Sequence, residues 1–260
     1  MDPTTRPAEP APSILARAGD PSIAYRALSG SEPGLVFLGG FRSDMSGEKA
    51  RALAEFAALR GQGLLRFDYR GHGLSQGRFE EGTVGLWSED AIAVFDAETK
   101  GPQILIGSSM GAWIMVLLAL ARPERIAAMI GLAAAPDFTE DLIWQRLLPE
   151  EQARLIESGR LELPSRYGEQ ATPITLKLIE DGRKRLVLRR RIPLACPVRL
   201  IHGLSDDEVP WRSSLRLAEA LDSRDVTVEL VRGGEHRLSR PEDIERMLSV
   251  VAALSDRIGG

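Results

Sequence analysis

A serine between two glycines is the first candidate for chemistry in this chain of 260 residues. Ser109 lies in the middle of segment 107–111, Gly-Ser-Ser-Met-Gly, directly after an apolar run at 103–106 and just before a helical pattern over 112–121. On a tight turn between a strand and a helix, a serine exposes its hydroxyl, and flanking glycines avoid collisions with neighbouring backbone. The pattern therefore predicts a nucleophile, with helix N-terminal amides aimed at the reacting centre.

A serine hydroxyl needs a base to remove its proton, and the chain has three histidines, His72, His202 and His236. His236 follows the last predicted strand and precedes the last predicted helix. The chain order serine, acid, histidine therefore favours His236 as the base. We expect His72 and His202 to orient turns by hydrogen bonds to the backbone.

The acid has to lie between Ser109 and His236 and to follow a strand. Asp206 does so within segment 202–210, His-Gly-Leu-Ser-Asp-Asp-Glu-Val-Pro. It is expected to accept a hydrogen bond from His236, fix its tautomer and stabilise the imidazolium. Asp207, one residue on, is the alternative acid. If Asp206 is the acid, we expect Asp207 and Glu208 to be solvated charged residues of the loop.

Acyl transfer through a serine needs two backbone donors for the developing oxyanion. The first candidate is the N–H of Met110, directly after the serine, and the second is the N–H of Phe41, after the strand that ends at Gly39 and Gly40. This chemistry needs neither a metal nor a cofactor. One cysteine and three histidines also argue against a structural zinc site.

The elements that must position these residues alternate along the chain. This alternation predicts an α/β fold, a mostly parallel sheet with helices on both faces. Strands are expected at 13–17, 22–28, 35–38, 63–67, 103–106, 125–133, 198–201 and 226–231. Helices are expected at 48–60, 84–99, 112–121, 213–221 and 241–254.

One segment breaks the alternation and predicts a domain organisation. Residues 1–12 hold four prolines and read as a flexible tail, while 13–135 and 197–260 form the α/β core. Residues 136–196, here called the insertion, show helical patterns at 141–159 and 173–185 but no core strand, which is typical of a helical cap over a substrate pocket. The candidate pocket residues are Trp144, Leu147, Leu148 and Tyr167, although each could instead pack the insertion against the core.

Charged residues elsewhere have simpler interpretations. Asp68 and Arg70 lie in a glycine-rich turn, where an aspartate typically holds the turn by hydrogen bonds. Basic residues at 183–185 and 189–191 read as a solvated face of the insertion, with an anion-recognition or partner patch as the alternative.

Composition excludes several classes of protein. A net charge of −4 and an isoelectric point of about 5.6 give no basic field for nucleic acid. No apolar run reaches the roughly 18 residues of a membrane helix, and the N-terminus resembles neither a secretory signal nor a transit peptide. The single cysteine, Cys196, suits a reducing compartment, so the expected location is the cytoplasm.

As a set, these motifs resemble the α/β-hydrolase superfamily. The resemblance is carried by residues 68–73, 107–111, 202–206 and 234–236. Segments 102–109, 121–124, 164–167 and 209–211 are similar, more closely, to a family of mitochondrial α/β-hydrolase-domain acyl-protein thioesterases and acyl-glucuronide esterases, of which this chain looks like a bacterial relative over residues 34–255.

The resemblance implies a small acyl ester or thioester as substrate, including S-palmitoylated protein cysteines or acyl glucuronides. It also implies an acyl-enzyme intermediate on Ser109. Two alternatives remain: a non-catalytic scaffold that binds a ligand, and hydrolysis of amide or carbon–carbon bonds by the same three residues.

Overall fold

An eight-stranded sheet forms the centre of the computed structural model, which describes residues 11–164 and 171–259. Most of the predicted tail 1–12 therefore lies outside the described residues. The chain has ten strands in this part: β1 Ser13–Arg17, β2 Asp20–Leu28, β3 Ser31–Leu38, β4 Gln62–Phe67, β5 Gln103–Ser108, β6 Ile126–Leu132, β7 Arg160–Leu163, β8 Thr172–Thr175, β9 Val198–Gly203 and β10 Val226–Val231.

The sheet order is β1-β2-β4-β3-β5-β6-β9-β10. The six strands from β4 to β10 in this order run parallel, whereas β2 is antiparallel to β4 and β1 is antiparallel to β2. Parallel strands end at the same edge of a sheet, so the loops after β3, β5 and β9 meet there. This edge carries the candidate site.

Helices cover both faces of the sheet, as the alternation predicts. They are α1 Glu48–Arg60, α2 Val84–Glu98, α3 Met110–Ala121, α4 Pro149–Ser158, α5 Leu176–Arg183, α6 Arg212–Ala220 and α7 Pro241–Gly259. Helices α1 and α7 pack on one face of the core, and α2, α3 and α6 pack on the other.

Strand β5 shows why a continuous apolar run forms a central strand. Ile104 and Ile106 point into the layer of α1 and α7, while Leu105 points into the layer of α2 and α3. All three side chains are fully buried. A strand covered on both faces has no polar side, so the sequence shows no alternation.

The insertion leaves the sheet after β6 and returns at β9, and these two strands pair directly, with Met129 opposite Val198. It contains a π-helical turn at Thr139–Ile143, a 3₁₀ turn at Trp144–Arg146, helices α4 and α5, and a two-stranded antiparallel hairpin of β7 and β8. Trp113 Nε1 donates to Arg185 O at 3.1 Å and Gly85 N–H donates to Asp181 Oδ2 at 2.7 Å, which ties the insertion to α3 and α2.

The helix expected over 141–159 is interrupted, because Leu147 and Leu148 adopt extended backbone before Pro149. Proline disfavours the helical conformation of the preceding residue and is itself suited to the first helical position, so α4 starts at Pro149.

The hairpin was not predicted. Alternation of exposed and half-buried side chains over Arg160–Leu163 is the period-two pattern of a strand. The second expected helix starts at Leu176 rather than 173, because Thr175 caps it by accepting the Leu178 N–H at 3.2 Å.

Candidate active site

Ser109 occupies a strained turn between β5 and α3. Its φ of 55° and ψ of −119° lie in a region that non-glycine residues rarely adopt. Its glycine neighbours are required by space: a Cβ at Gly111 would lie 2.1 Å from Leu38 O, and one at Gly107 would lie 2.6 Å from Ala112 Cα. Glycine at 111 therefore lets the turn fit against the end of β3, and glycine at 107 leaves room for the start of α3.

His236 brings the predicted base to the serine. It lies in the loop between β10 and α7, with Nε2 at 3.0 Å from Ser109 Oγ. Its Nδ1 lies 2.8 Å from Asp206 Oδ2. The structure thus places the three side chains in one hydrogen-bonded chain, while Asp207 is exposed to solvent.

The Asp206 carboxylate is buried at the end of β9. Its Oδ1 accepts the backbone N–H groups of Glu208 at 3.0 Å and Val209 at 2.9 Å. Burial raises the pKa of Asp206, but hydrogen bonds from His202, His236 and the Val209 amide outweigh it and hold the pKa well below its usual value. Asp206 is therefore ionised at neutral pH.

The sequence analysis missed the contact between His202 and Asp206. We expected it to hold a backbone turn, but its Nε2 lies 3.1 Å from Asp206 Oδ2 as well as 3.0 Å from Val209 O. The available signal was the spacing of four residues between His202 and Asp206, which allows the loop to fold back on the imidazole.

The two predicted oxyanion donors lie beside Ser109. Met110 is the first residue of α3, where an amide N–H has no acceptor within the helix. Gly40 borders the serine closely, since a Cβ there would lie 3.4 Å from Ser109 Cβ. The next residue, Phe41, packs its ring against Phe79, with centroids 4.9 Å apart. The role of the Met110 and Phe41 amides as oxyanion donors remains a prediction.

His72 supports the turn that follows Phe41. Its Nε2 accepts the N–H of Arg42 at 3.2 Å, and its Nδ1 lies 3.3 Å from Arg70 O. Burial lowers the pKa of His72 to about 4, so the ring is neutral and can accept at Nε2. Asp68 joins this turn to the glycine-rich turn, because it accepts the N–H groups of Met45 and Leu74 at 2.6 and 2.8 Å.

The candidate pocket residues are in different environments. Leu147 is buried in the core, Leu148 is 56 % exposed, and Trp144 is half-buried beneath the Arg183 guanidinium, 4.4 Å from its ring centroid. Tyr167 lies outside the described residues. Whether they line a pocket remains a prediction.

A cavity of about 370 Å³ opens beside the Arg42 turn, between the core and the hairpin of the insertion. Its lining includes Arg42, His72, Phe79, Arg160 and Pro173. Arg42 crosses this boundary, because its guanidinium donates to Thr172 Oγ1 at 3.0 Å. The insertion and the loop after β3 thus meet at the edge of the candidate site.

Most of the basic stretch in the insertion is paired. Arg183 contacts Glu140 at 2.7 Å, Arg185 contacts Asp181 at 3.3 Å, and Arg189 contacts both Asp141 and Asp137. Their side chains are partly exposed, in keeping with a solvated face. Within 11–164 and 171–259, no three His, Cys, Asp or Glu side chains could hold a metal ion, and none of the helices described is long and apolar enough to cross a membrane.

Comparison with known proteins identifies a family. The model of the family described as serine aminopeptidase, S33, matches residues 35–171. A curated relative, the mitochondrial palmitoyl-protein thioesterase ABHD10 of Mus musculus, is 41% identical over 249 residues, covering 95% of this chain and 83% of the relative.

Two solved structures are similar in fold and sequence. The α/β hydrolase domain-containing protein 10 from mouse has a TM-score of 0.89 at 39% identity, over 95% of this chain and 99% of that one. A putative hydrolase from Agrobacterium vitis S4 has a TM-score of 0.90 at 41% identity, over 96% and 100%. Both therefore match the insertion as well as the core.

Proposed function

Because this chain belongs to the α/β-hydrolase family described as serine aminopeptidase, S33, with ABHD10 thioesterases among its relatives, we propose that it cleaves carboxylic esters or thioesters through an acyl-enzyme intermediate. The observation that carries the proposal is the unbroken chain of contacts from Ser109 Oγ to His236 at 3.0 Å and from His236 to Asp206 at 2.8 Å. A scaffold used only for binding needs no such chain.

In the first half of the proposed reaction, His236 Nε2 takes the proton from Ser109 Oγ as the oxygen attacks the acyl carbon. The ionised Asp206 holds His236 with Nε2 free of hydrogen and stabilises the imidazolium that forms. His236 then gives this proton to the leaving alcohol or thiol, and the acyl group remains on Ser109 as an ester.

In the second half, water attacks the acyl-serine while His236 takes a proton from it. The bond between Ser109 Oγ and the acyl carbon then breaks, His236 returns the proton to Ser109 Oγ, and the carboxylic acid leaves. Both tetrahedral intermediates carry a negative oxygen, and we assign its stabilisation to the backbone amides of Met110 and Phe41. Loss of one such donor typically lowers the rate by ~10²–10³. The local geometry of Ser109 supports this arrangement, because its side chain makes no capping hydrogen bond to the helix that it precedes.

For the substrate, we propose an acyl thioester, with an S-acylated protein as the natural form. The support comes from the relatives, which are named palmitoyl-protein thioesterases and cover nearly the whole chain. Oxygen esters pass through the same kind of intermediate, so preference between the two depends on the pocket rather than on Ser109.

The single cysteine predicts a reducing compartment, the cytoplasm, whereas the mouse relative is named mitochondrial. Cell fractionation with a tagged chain distinguishes these two locations.

A fluorophosphonate probe tests the nucleophile directly. We expect one probe molecule per folded chain, attached at Ser109 and identified by peptide mass spectrometry. Ser109→Ala should abolish labelling, whereas Ser108→Ala, one residue away, should retain it. A folded wild-type protein that stays unlabelled would contradict the proposal.

A matched series of p-nitrophenyl esters and acyl thioesters, from two to sixteen carbons, tests the substrate. Rising kcat/KM with chain length and a preference for thioesters would support an acyl-protein thioesterase. A preference for acetyl esters would restrict the proposal to a short-chain esterase.

A further inference from the structure

A second imidazole, besides that of His236, contacts the acid of the candidate site. His202 is fully buried, and its Nε2 lies 3.1 Å from Asp206 Oδ2 and 3.0 Å from Val209 O. On its other side, His202 Nδ1 lies 2.7 Å from the hydroxyl of Ser214, which is also fully buried in the first turn of α6. Neither His202 nor Ser214 belongs to the machinery proposed above.

The surroundings of His202 define its tautomer. Both groups that face Nε2, the Asp206 carboxylate and the Val209 carbonyl, can only accept hydrogen bonds, so Nε2 carries the hydrogen. Nδ1 faces the Ser214 hydroxyl, which donates to it in this tautomer. Ser214 therefore holds His202 in the form that donates to Asp206.

The consequence lies at one oxygen atom. Asp206 Oδ2 accepts hydrogen bonds from both His236 Nδ1 and His202 Nε2, while Oδ1 accepts two backbone amides. The two amides already orient the carboxylate. What His202 adds is a second donor on the oxygen that His236 uses, and a shared oxygen attracts each of its donors less strongly.

On the premise that the proposed function holds, we infer that His202, locked by Ser214, is a positioning residue that sets the base strength of His236 by competing with it for Asp206 Oδ2. With both donors present, the carboxylate stabilises the His236 imidazolium only in part. This keeps His236 available as an unprotonated base at lower pH.

Other charged groups also lie near this loop. Lys49 of α1 donates to Arg237 O, and Arg146 of the insertion donates to Glu208 O at 3.3 Å. Asp207, Glu208 and Glu235 are chain neighbours on the same loops. All of these groups are retained in the variants below.

The test is the pH profile of kcat/KM for a p-nitrophenyl ester, with active sites counted by fluorophosphonate titration. His202→Phe fills the space without donating, so Asp206 should bind His236 more tightly. The acid limb should then move to higher pH by about half a unit or more. KM should stay within twofold, because His202 is buried away from solvent. His202→Gln, which restores an N–H near the position of Nε2, should return the limb towards the wild type.

The matched control is His72→Phe, which changes another buried histidine that contacts Arg42 and Arg70 but not Asp206. Its acid limb should not move. If His202→Phe does not fold, Ser214→Ala carries the test, with a smaller shift in the same direction.

Suppose that the wild type is labelled and hydrolyses the ester normally. An acid limb that is unchanged in both His202→Phe and Ser214→Ala would then overturn the inference and leave the proposed function intact. A wild type without labelling or hydrolysis would overturn both.

Discussion

At the scale of single residues, His72 links stability to pH. Its ring is neutral in the folded chain because burial lowers its pKa from 6.5 to about 4. The unfolded chain binds a proton there below pH 6.5, so this contribution to stability is complete above pH 6.5 and is lost as the pH falls towards 4. The loss amounts to roughly 3 kcal/mol over that range.

The measurement is urea denaturation of the wild type and His72→Phe at pH 7.5, 6 and 5. The wild type should be the more stable protein at pH 7.5, because the variant lacks the hydrogen bonds to Arg42 and Arg70. The difference in unfolding free energy between the wild type and the variant should decrease as the pH falls. Parallel curves would mean that folding does not lower the pKa of His72.

At the scale of elements, a single buried carboxylate fastens the two ends of the insertion together. Asp137, just after β6, is fully buried and accepts the N–H groups of Val187 at 2.8 Å and Leu188 at 3.0 Å. Asp137→Asn would turn an NH₂ group towards one of these donors. We expect it to cost about 2–3 kcal/mol and to expose the insertion to proteolysis.

Limited trypsin digestion and thermal unfolding measure this effect. Asp222→Asn is the matched control, because Asp222 pairs with Arg191 on the exposed surface and such pairs contribute about 0–1 kcal/mol. Equal digestion rates for the two variants would show that Asp137 does not hold the insertion.

At the scale of the whole molecule, a buried ion network joins the antiparallel edge of the sheet to the parallel core. Asp90 of α2 is fully buried and binds Arg17 of β1 at 2.8 Å and Arg70 of the glycine-rich turn at 2.7 Å. The backbone N–H of Arg70 also donates to the Asp90 carboxylate, at 2.8 Å. Removing this charge would leave two largely buried guanidinium groups without their shared partner.

We therefore expect Asp90→Asn to lower the free energy of unfolding by about 3–5 kcal/mol, measured by urea denaturation. Asp96→Asn, on the same helix, removes a partly exposed pair with Arg122 and should cost at most about 1 kcal/mol. Similar losses of unfolding free energy in both variants would show that the buried network at Asp90 contributes no more than an exposed ion pair.

The features of this structure that the sequence predicts are those that depend on residues close together in the chain or on the ends of strands. Ser109 and its glycines form a local motif whose spacing reflects the space available, as the 2.1 Å approach to Leu38 O shows for Gly111. The apolar run of β5 likewise predicts its burial. His236 and Asp206 were predictable because each follows a strand, and parallel strands end at one edge.

Long-range packing is what the sequence could not provide. Leu147 and Leu148 are adjacent and chemically identical, yet one is buried and the other is 56 % exposed. The turn before Pro149 decides which side chain faces the core, and no periodic pattern contains that information. The contact of His202 with Asp206 was missed for a related reason, since it arises only when the loop folds back on β9.

The direct pairing of β6 with β9 has a consequence for how this chain can change. Gly131 lies opposite Leu200, and Leu132 lies opposite Ile201, with the whole insertion looped out between them. The distance between Ser109 and Asp206 is thus set by strand register and does not depend on the length of the looped-out segment. That segment can therefore be exchanged, lengthened or trimmed as a module, which would change selectivity while the proposed cleavage site keeps its geometry.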